Sequence, residues 1–392
     1  MPNPQSLISA YPSPEISDII KEQHPKKLNV YIDLKNVMTS LFVEDVVKEI
    51  VANSHNMQTM DSSIFQAVVN ISSYWTNYTK NRNLDANIFI CSDIGQSSYH
   101  LEIYKKYKYR RQISNMLTWV NGVDIKRIRD KNFLLCDLIC NRLPNVYFFC
   151  LKYLEADFLP YYLITRKFND DNDILHIVCS NDKDLYQTIL KPNIIQLYKI
   201  KGEKNIIKNN TILGTYTKFH KTSVKNQVSK LNKLSKIDPK YLVAMMAVCG
   251  DEGDDVPGVK GMGKARVVDL FSDENVVNKI MGSPEDMDNR ISKGGKIFIE
   301  DSMNICEMSN MWKKVFVEND FITRSYKLIS FEMLCAWLEK KDTLNKINYI
   351  KYMDKLLDKQ DIKIVPSARS FLKPLRKMED LYLTEDIVDN FF

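Results

Sequence analysis

The stretch NVYID, Asn29 to Asp33, decides how the chain folds. Its first four residues form a short run with β-branched and aromatic side chains, which predicts a buried strand, and the run ends on a carboxylate. Four further runs share this character: NIFIC (Asn87–Cys91), VYFF (Val146–Phe149), LHIVC (Leu175–Cys179) and IIQLY (Ile194–Tyr198). Segments of helical length separate them. This alternation indicates an α/β fold with a mainly parallel central sheet flanked by helices.

Acidic residues follow four of these predicted strands closely. They are Asp33, Asp93, the pair Glu155 and Asp157, and the pair Asp182 and Asp184. The carboxyl ends of parallel strands share one edge of the sheet, so we expect these side chains to converge in one cleft. A single Asp after a strand is usually a helix N-cap or a turn residue. Four such positions in succession indicate a functional site instead.

A second stretch, GDEGDDVPGVKGMGKARVVDLF (Gly250–Phe271), gathers four acids within five residues. Asp251 and Asp254 are three residues apart and lie on one face if they begin a helical turn, from which they could join the same cleft. Eight carboxylates in one cleft repel each other and need counter-ions. Oxygen ligands without His or Cys suit Mg²⁺ or Mn²⁺, and so many carboxylates favour two ions over one.

The glycine-spaced part of this stretch predicts an anion site. Gly258, Gly261 and Gly263 allow a tight turn with outward-facing N–H groups, and a helix that begins near Lys264 adds its positive end. Such a turn suits a phosphodiester. Strand-end acids also occur in nucleotide-binding folds, but the chain has no GxxxxGK[ST] and no GxGxxG after its first strand.

Positive charge is concentrated in two places, although the net charge is only +6. YKKYKYRRQ, Tyr104 to Gln112, interleaves tyrosines with Lys and Arg, and Lys199 to Lys240 carries eleven lysines against two acids. Such clusters are typical of phosphate-backbone binding, and exposed tyrosines can stack on unpaired bases. Each cluster taken alone is equally consistent with a solvated surface. Together with the acidic cleft they favour nucleic-acid binding.

These motifs resemble those of the 5′-nuclease superfamily, the 5′–3′ exonucleases and flap endonucleases, and they occur in the family's order from about residue 28 to 275. GDEGDDVPGVKGMGKA resembles the family's GDxxDNIPGVxGIGxKTA, SNDKDLYQ its SxDxDxxQ, and LEAD its VEADD. YIDLKN resembles VDGxN, and FICSDIGQSSYHLEIYKKYKYRR resembles an FD motif followed by a YKxxR arch. The sequence departs from the family pattern at Leu34, Phe158 and Asp255. The resemblance implies a PIN-like 5′-nuclease core with a helix–hairpin–helix-like region.

The resemblance also implies roles for individual residues. One metal site would comprise Asp33, Asp93, Glu155, Asp157 and Asp182, and the other Asp184, Asp251 and Asp254, with Asp182 shared between them. Lys108 and Arg111 of the arch, with Asp182, would be catalytic. The DNA-binding residues would be Lys105, Lys106, Arg110, Gly258, Gly261, Gly263 and Lys264.

The activity that the resemblance implies is a structure-selective 5′–3′ exonuclease and flap endonuclease. It would hydrolyse DNA, and RNA primers in RNA–DNA hybrids, in replication or repair. We expect a monomer that uses two Mg²⁺ ions, with Mn²⁺ as a substitute. Two alternatives are a non-catalytic nucleic-acid-binding module and a PIN-like ribonuclease. The presence of all eight acids argues against the first, and the helix–hairpin–helix-like segment, which suits duplex DNA, against the second.

We divide the chain into four parts: an N-terminal extension (1–28), an α/β core (29–236) with an arch near 94–135 and a basic segment at 199–236, a helix–hairpin–helix-like region (237–300) and a helical C-terminal region (301–392). The final LTEDIVDNFF resembles sliding-clamp-binding peptides through Phe391 and Phe392. Docking of these phenylalanines onto the protein's own core is equally consistent with the pattern. No signal peptide or membrane span is evident, and the scattered cysteines lack a CxxC motif, so we expect an intracellular protein.

Overall fold

The structure is a computed structural model of the chain, and it describes residues 14–37, 57–94, 96–110, 119–120, 123–189, 191–200, 203–208, 241–299, 309–344 and 349–358. The strands within these ranges are β1 (Lys27–Asp33), β2 (Asp85–Ile94), β3 (Trp119–Val120), β4 (Val123–Asp124), β5 (Val146–Lys152), β6 (Ile174–Cys179), β7 (Ile194–Ile200) and β8 (Glu203–Lys208).

The central sheet has six strands in the order β5–β2–β1–β6–β7–β8, and β3 pairs with β4 in a separate short hairpin. The first five strands of the sheet are parallel and β8 is antiparallel to β7. All five predicted strands and the predicted fold class are therefore confirmed. Strand β8, EKNIIK, was not predicted, because its lysines interrupt any apolar run. Lysine on an edge strand discourages pairing with further chains.

The helices in the described residues flank this sheet. They are α1 (Pro14–Gln23), α2 (Leu34–Val37), α3 (Met57–Lys80), α4 (Ser98–Ile103), α5 (Ile125–Cys140), α6 (Phe158–Tyr162), α7 (Leu242–Cys249), α8 (Lys264–Leu270), α9 (Glu274–Met281), α10 (Pro284–Ser292), α11 (Asn310–Val317), α12 (Asn319–Ile329), α13 (Phe331–Leu344) and α14 (Tyr349–Leu357). A π-helical turn, Leu163–Lys167, continues α6, and 3₁₀ turns span Asp184–Thr188 and Glu252–Asp254. None of these helices is long and apolar enough to cross a membrane.

Two apolar layers lie on opposite faces of the sheet, because successive side chains of a strand point in opposite directions. Val30 and Ile32 of β1 enter one layer, together with residues of α1, α3 and α5. Tyr31, between them in sequence, enters the other layer with Phe89 of β2 and with residues of α6 to α14. Both faces of β1 are thus buried, which explains why NVYID was apolar enough to predict the strand.

Described residues near both ends of the chain contribute to these layers. Ile16 and Ile19 of α1 are fully buried, and the Ser17 hydroxyl lies 2.9 Å from the Tyr78 hydroxyl of α3. Helix α1, which belongs to the segment assigned to an N-terminal extension, therefore packs against the core. In the C-terminal region, the Phe331 ring of α13 packs on Phe158 of α6 at a centroid distance of 6.2 Å. The four-part division of the chain itself stays a prediction.

Gln187, the last residue of SNDKDLYQ, ties the loop after β6 to the C-terminal helices. Its Nε2 donates a hydrogen bond to the Ile329 carbonyl (3.0 Å), and its Oε1 accepts one from the Phe331 N–H (3.1 Å). These two partners form the junction between α12 and α13. One side chain thus holds two distant parts of the sequence together.

A buried polar pair lies within the sheet, at the boundary between β1 and β6. The Tyr31 hydroxyl is 3.0 Å from Nδ1 of His176, and the two rings are stacked with their centroids 5.9 Å apart. His176 is almost fully buried. Burial, with a smaller effect of the charge on Lys191, lowers the pKa of His176 to about 3. The folded protein therefore keeps this imidazole neutral at pH values where an unfolded chain protonates it.

This pair predicts a pH dependence of stability. Between pH 6.5 and 3 the unfolded chain binds a proton at His176 that the folded protein does not, so the free energy of unfolding falls as the pH falls. One such proton contributes a slope of at most about 1.4 kcal/mol per pH unit. His176→Gln should reduce the slope between pH 6 and 5 in urea titrations, whereas His24→Asn, at an exposed site on the surface, should not. An unchanged slope in His176→Gln would contradict this account.

Candidate active site

The carboxyl edge of the sheet holds the first two predicted ligands. Asp33 is the last residue of β1, is buried, and accepts a hydrogen bond from the Ser180 hydroxyl at 3.0 Å. Asp93 lies near the end of β2 and forms an ion pair with Lys35 of α2, with 2.7 Å between Oδ1 and Nζ. The neighbouring strands β1, β2 and β6 thus bring these groups to one edge, as the parallel topology requires.

Glu155 and Asp157 lie in the turn between β5 and α6. Glu155 Oε1 is 2.5 Å from Lys108 Nζ, and its Oε2 accepts a hydrogen bond from the Tyr107 hydroxyl at 3.1 Å. Asp157 immediately precedes α6 and does not cap it through its side chain. The N-cap interpretation of a strand-end Asp therefore fails at this position, and the carboxylate is available for another partner.

The loop after β6 is fixed by its own hydrogen bonds. The Asp182 N–H donates to the Ser180 hydroxyl (3.1 Å), and Asp182 Oδ1 accepts from the Asp184 N–H (3.0 Å). Gln196 of β7 donates from Nε2 to the carbonyls of Ser180 and Asp182. A loop with this many fixed contacts holds Asp182 and Asp184 in one arrangement.

Asp251 immediately precedes a single 3₁₀ turn after α7, and Asp254 is the last residue of that turn. Asp251 caps this turn, since its Oδ1 accepts a hydrogen bond from the Gly253 N–H at 3.0 Å. One carboxylate oxygen each of Asp184, Asp251 and Asp254 lie within 4.8 Å of one another. Ligands on opposite sides of one cation, at about 2.0–2.6 Å each, lie no more than about 5 Å apart. The structure thus unites an acid of the sheet with two acids of the helical region.

Lysines and a tyrosine compensate the negative charge of this cluster. Lys108 Nζ lies between Glu155 (2.5 Å) and Asp254 Oδ2 (3.4 Å), and the Lys108 N–H donates to the Asp254 carbonyl at 3.0 Å. Lys183 Nζ pairs with Asp251 Oδ2 at 2.9 Å. The Tyr107 hydroxyl is also within 3.3 Å of Asp254 Oδ2. Segments that are far apart in sequence are therefore held together by charge.

The carboxyl groups of the cluster have very different pKa values. Burial alone would raise the pKa of Glu155, but the charges of Lys108 and His100 and the hydrogen bonds from Lys108 and Tyr107 outweigh it and lower this pKa to about 2. Burial and the neighbouring Glu155 raise the pKa of Asp157 well above its ordinary value. Burial and Asp182 do the same for Asp184. The cluster therefore has more acid than its lysines can neutralise.

The donor set fits a divalent cation. Asp157 Oδ1 and Asp184 Oδ1 are buried and accept no hydrogen bond from the described residues. A buried carboxylate oxygen without a donor is energetically costly. A hard divalent ion with oxygen ligands removes that cost and offsets the mutual repulsion of the acids. These two atoms therefore support the prediction of a metal site at this edge.

A buried histidine positions Tyr107. The two rings of His100 and Tyr107 are stacked at a centroid distance of 4.3 Å with an angle of 10°. His100 Nε2 lies 2.9 Å from the Leu328 carbonyl, which can only accept, so Nε2 donates this hydrogen bond, and Nδ1 lies 2.6 Å from the Ser97 hydroxyl. Burial lowers the pKa of His100. The position of Tyr107, and of its hydroxyl on Glu155, thus depends on α12.

The predicted glycine-spaced turn is a compact hairpin between α7 and α8. Gly250, at φ 74°, and Gly258 pack backbone against backbone, and the Val259 N–H donates to the Val248 carbonyl at 2.9 Å. Gly261 has φ 78°, and Gly263 is the N-cap of α8, which begins at Lys264 as predicted. Lys264 is exposed beside these glycines. Its contact with a phosphate stays a prediction.

The basic cluster after α4 divides into three environments. Lys105, Lys106 and Arg110 are exposed, whereas Lys108 is turned into the carboxylates. Arg110 pairs through Nε with Asp255 Oδ1 at 3.1 Å, so part of its charge is compensated. Tyr107 is buried, Tyr104 half-buried and Tyr109 exposed. The three tyrosines therefore do not share one role, and Tyr104 and Tyr109 remain accessible to a ligand.

Several predicted features lie outside the described residues. Arg111, most of the basic segment 199–236 and the terminal pair Phe391 and Phe392 are among them. Their predicted roles stay predictions.

Sequence reasoning did not single out several residues that the structure places at the site. Lys183 lies inside SNDKDLYQ, and a lysine between two aspartates was a signal that could have been used. Tyr107 was grouped with exposed tyrosines, because alternation with lysines does not distinguish a buried ring from an exposed one. Ser180 is the first residue of the SNDKDLYQ motif but was given no role. Lys35 and His100 carried no sequence signal, because their roles arise from contacts between distant segments.

Comparison with known proteins gives relatives of one kind. No family model matches the chain. A 5′–3′ exonuclease of Mycoplasmopsis pulmonis (strain UAB CTIP) is 25% identical over 313 residues, which are 78% of this chain and 89% of that protein. A 5′–3′ exonuclease of Buchnera aphidicola subsp. Baizongia pistaciae (strain Bp) is 27% identical over 165 residues, which are 42% of this chain and 44% of that protein.

Solved structures of a phage protein share the fold. The T5 5′-exonuclease with bound zinc ions has a TM-score of 0.51 and 14% identity, over 85% of this chain and 100% of that chain. The T5 flap endonuclease in a complex with DNA and metal ions has the same TM-score and identity, over 85% and 98% of the two chains. These similarities show that the chain shares the fold of the T5 enzyme. The comparisons confirm the resemblance to the 5′-nuclease superfamily that the motifs predicted, with the two bacterial exonucleases as its relatives.

The packing of the hairpin predicts that alanine substitution destabilises the protein far more at one of its glycines than at another. A Cβ at Gly258 would lie 2.0 Å from the Cys249 carbonyl oxygen, a backbone atom that cannot move aside. Gly258→Ala should lower the free energy of unfolding by about 3 kcal/mol or more. Gly263→Ala adds a Cβ with no atom within 4 Å, so its cost should stay below about 1 kcal/mol, the usual difference at an N-cap. Urea denaturation measures both, and equal costs would contradict the packing described.

Proposed function

We propose that the chain is a divalent-metal-dependent nuclease that acts as a 5′–3′ exonuclease and flap endonuclease on DNA and on RNA–DNA hybrids. The observation that carries the proposal is the convergence of strand-end acids with the Asp251–Asp254 turn, where Asp184, Asp251 and Asp254 bring oxygens within 4.8 Å of one another. The names of the two bacterial relatives support it, and so does the fold shared with the T5 enzyme.

The cations that the proposal requires are two Mg²⁺ ions, for which Mn²⁺ would substitute. One would be held by Asp33, Asp93, Glu155, Asp157 and Asp182, and the other by Asp184, Asp251 and Asp254, with Asp182 shared. When bound, such a pair supplies Lewis-acid activation of water and stabilises the charge that develops on the attacking and leaving oxygens. The unsatisfied oxygens of Asp157 and Asp184 support both sites.

Lys108 is the cation that we expect to face the reacting phosphate. It is partly exposed and borders the carboxylate cluster, and its backbone is held by the Asp254 carbonyl at 3.0 Å. A fixed ammonium group next to the reacting phosphate offsets negative charge in the transition state. Arg111, three residues further on, is proposed to share this role.

The hairpin and the basic residues are proposed to bind the phosphate backbone away from the reacting bond. No atom lies within 4 Å of a Cβ added at Gly263, so this part of the turn has room for close approach of a phosphate, and Lys264 is exposed beside it. Lys106 and Arg110 line one cleft together with Gly258, and Lys105 is exposed one residue before Lys106. The proposal has further parts. The protein would act as a monomer in replication or repair and would remove RNA primers. It would bind a sliding clamp through Phe391 and Phe392.

Asp182→Ala provides the first test of the activity. The variant should lose at least about 100-fold in Mg²⁺-dependent cleavage of a 5′-labelled flap duplex, because a metal ligand is removed. Binding of the same duplex in Ca²⁺ or EDTA should remain. Asp170→Ala, in an exposed loop before β6, serves as the matched control and should cleave like the wild type.

The same assay separates the alternatives. Binding of the flap duplex by the wild type without cleavage in Mg²⁺ or Mn²⁺ would favour a non-catalytic binding module. Cleavage of single-stranded RNA without cleavage of the flap duplex would favour a PIN-like ribonuclease. Full activity of Asp182→Ala would overturn the proposed metal site.

Lys108 and Lys105 should respond differently to the same substitution. Lys108→Met should lower kcat by about 100-fold or more with little change in affinity, because its charge acts at the reacting phosphate. Lys105→Met should leave kcat unchanged and reduce the slope of log Kd against log[salt] by about 0.9, as expected for one lost phosphate contact. Single-turnover kinetics and salt titrations measure the two effects. Equal losses of kcat in both variants would contradict the assignment.

A further inference from the structure

An open cleft of about 420 Å³ lies beside the carboxylate cluster, between the segment after α4 and the segment that joins α7 to the hairpin. One wall is formed by Tyr104, Lys106, Tyr109 and Arg110. The other is formed by residues between Cys249 and Gly258, Glu252 and Asp255 among them. The proposed function places phosphate contacts at Lys106, Arg110 and Gly258 and assigns no ligand to the space that Tyr104 and Tyr109 line.

The cleft is joined directly to the proposed active site. The Lys108 N–H donates to the Asp254 carbonyl at 3.0 Å, and two residues further on the Arg110 N–H donates to Asp255 Oδ2 at 3.0 Å. These two bonds link the walls. On one wall Tyr109 follows Lys108 directly, and on the other Asp255 follows Asp254 directly. A ligand in the cleft would therefore lie next to the groups that we propose to surround the reacting phosphate.

The charges of the cleft largely balance one another within its walls. Arg110 is held by Asp255 at 3.1 Å and lies 3.9 Å from Glu252, so its charge is compensated within the wall. Lys106 and Arg110 together balance Glu252 and Asp255. A site with no net charge and with carboxylate oxygens at its edge favours an uncharged ligand that carries N–H donors, such as the exocyclic amino groups of nucleobases.

The surfaces of the cleft suit an aromatic ring. Tyr109 is 49% exposed, although the ring of a tyrosine in a folded protein is usually covered by other side chains. Tyr104 is half-buried and has the Arg324 guanidinium 5.2 Å from its ring centroid, which holds the ring in place. Val256 and Pro257 add apolar surface from the other wall. Base stacking on exposed aromatic rings is the common way in which proteins hold unpaired nucleotides.

We propose that this cleft binds a single unpaired nucleobase of the cleaved strand, stacked on Tyr109, next to the bond that is cut. The inference rests on the proposed function and adds a subsite to it. A volume of about 420 Å³ suits one nucleotide and is too small for a base pair with its backbone. By holding one base, the cleft would place the adjacent phosphate at the carboxylates and so determine which bond is cut.

The test combines substitutions in the protein with abasic sites in the substrate. In flap duplexes, a single abasic site replaces each nucleotide in turn around the cleavage position. The wild type should lose about tenfold in kcat/KM at one such position, the usual effect of one base-to-aromatic stack. Tyr109→Leu should show the same loss on the intact flap and no further loss from that abasic site. Tyr109→Phe, which keeps the ring, should retain the wild-type response, and Tyr74→Leu, at an exposed tyrosine of α3, should behave as the wild type.

Two results would overturn the proposal. One is a wild-type enzyme that is insensitive to abasic sites at every position. The other is a loss in Tyr109→Leu that adds fully to the loss from the abasic site, because independent effects mean that the ring and the base do not touch.

A binding measurement keeps this test separate from the proposed activity. If the wild type does not cleave, a flap with 2-aminopurine at each position in turn is bound in EDTA and its fluorescence is recorded. Stacking on Tyr109 should change the emission at one position in the wild type and Tyr109→Phe, and this change should be absent in Tyr109→Leu. Identical emission in all three proteins, or no binding of the flap, would overturn the cleft proposal. If the wild type cleaves the flap and Tyr109→Leu cleaves it equally well, the cleft proposal is overturned, whereas the nuclease assignment stands.

Discussion

Electrostatic repulsion among carboxylates at one edge of the sheet is the constraint on which the rest of this structure depends. Parallel strands deliver their acids to the same edge, and a helical segment adds two more. In a partly buried cluster these charges cannot all persist without compensation. Glu155, which has Lys108 and Tyr107 as partners, keeps its charge, whereas Asp157 and Asp184 retain protons more strongly than exposed acids do. The cluster thus holds more acid than its lysines neutralise, and a divalent cation would offset this surplus.

The compensation also explains how remote segments come together. Lys108 links the segment after α4 to both the β5–α6 turn and the Asp254 turn, and Lys183 links the loop after β6 to Asp251. His100 connects Tyr107 to the end of α12 through the Leu328 carbonyl. Gly250 and Gly258 contribute a different element, because their backbones pack too closely for any side chain. The site is thus a junction of loops whose geometry depends on charge and on backbone contact.

The sequence predicted the sheet and the acids well, for a physical reason. Buried parallel strands are continuous apolar runs, and an acid at the end of each run is visible without any knowledge of the fold. Helix α8 and the glycines before it were predicted equally well, because glycine spacing indicates local backbone conformation. Strand β8 was missed because an edge strand pairs on one side only and tolerates lysine. Tyr107, His100 and Lys35 were missed because their roles depend on partners that the chain brings near only after folding.

The apolar layer beneath the site has a consequence for cooperativity. Residues from Tyr31 of the first strand to Met353 of the last described helix share this layer, and Gln187 bonds across it to the α12–α13 junction. An opening of the C-terminal helices would expose Phe158 of α6 and the apolar residues packed with it, at a large cost in buried apolar surface. The C-terminal helices and the site therefore form one cooperative unit, which opens as a whole. The amide hydrogens of β6 and α12 would then exchange with solvent in the same opening event. The arrangement of the carboxylates therefore depends on the packing of the C-terminal helices.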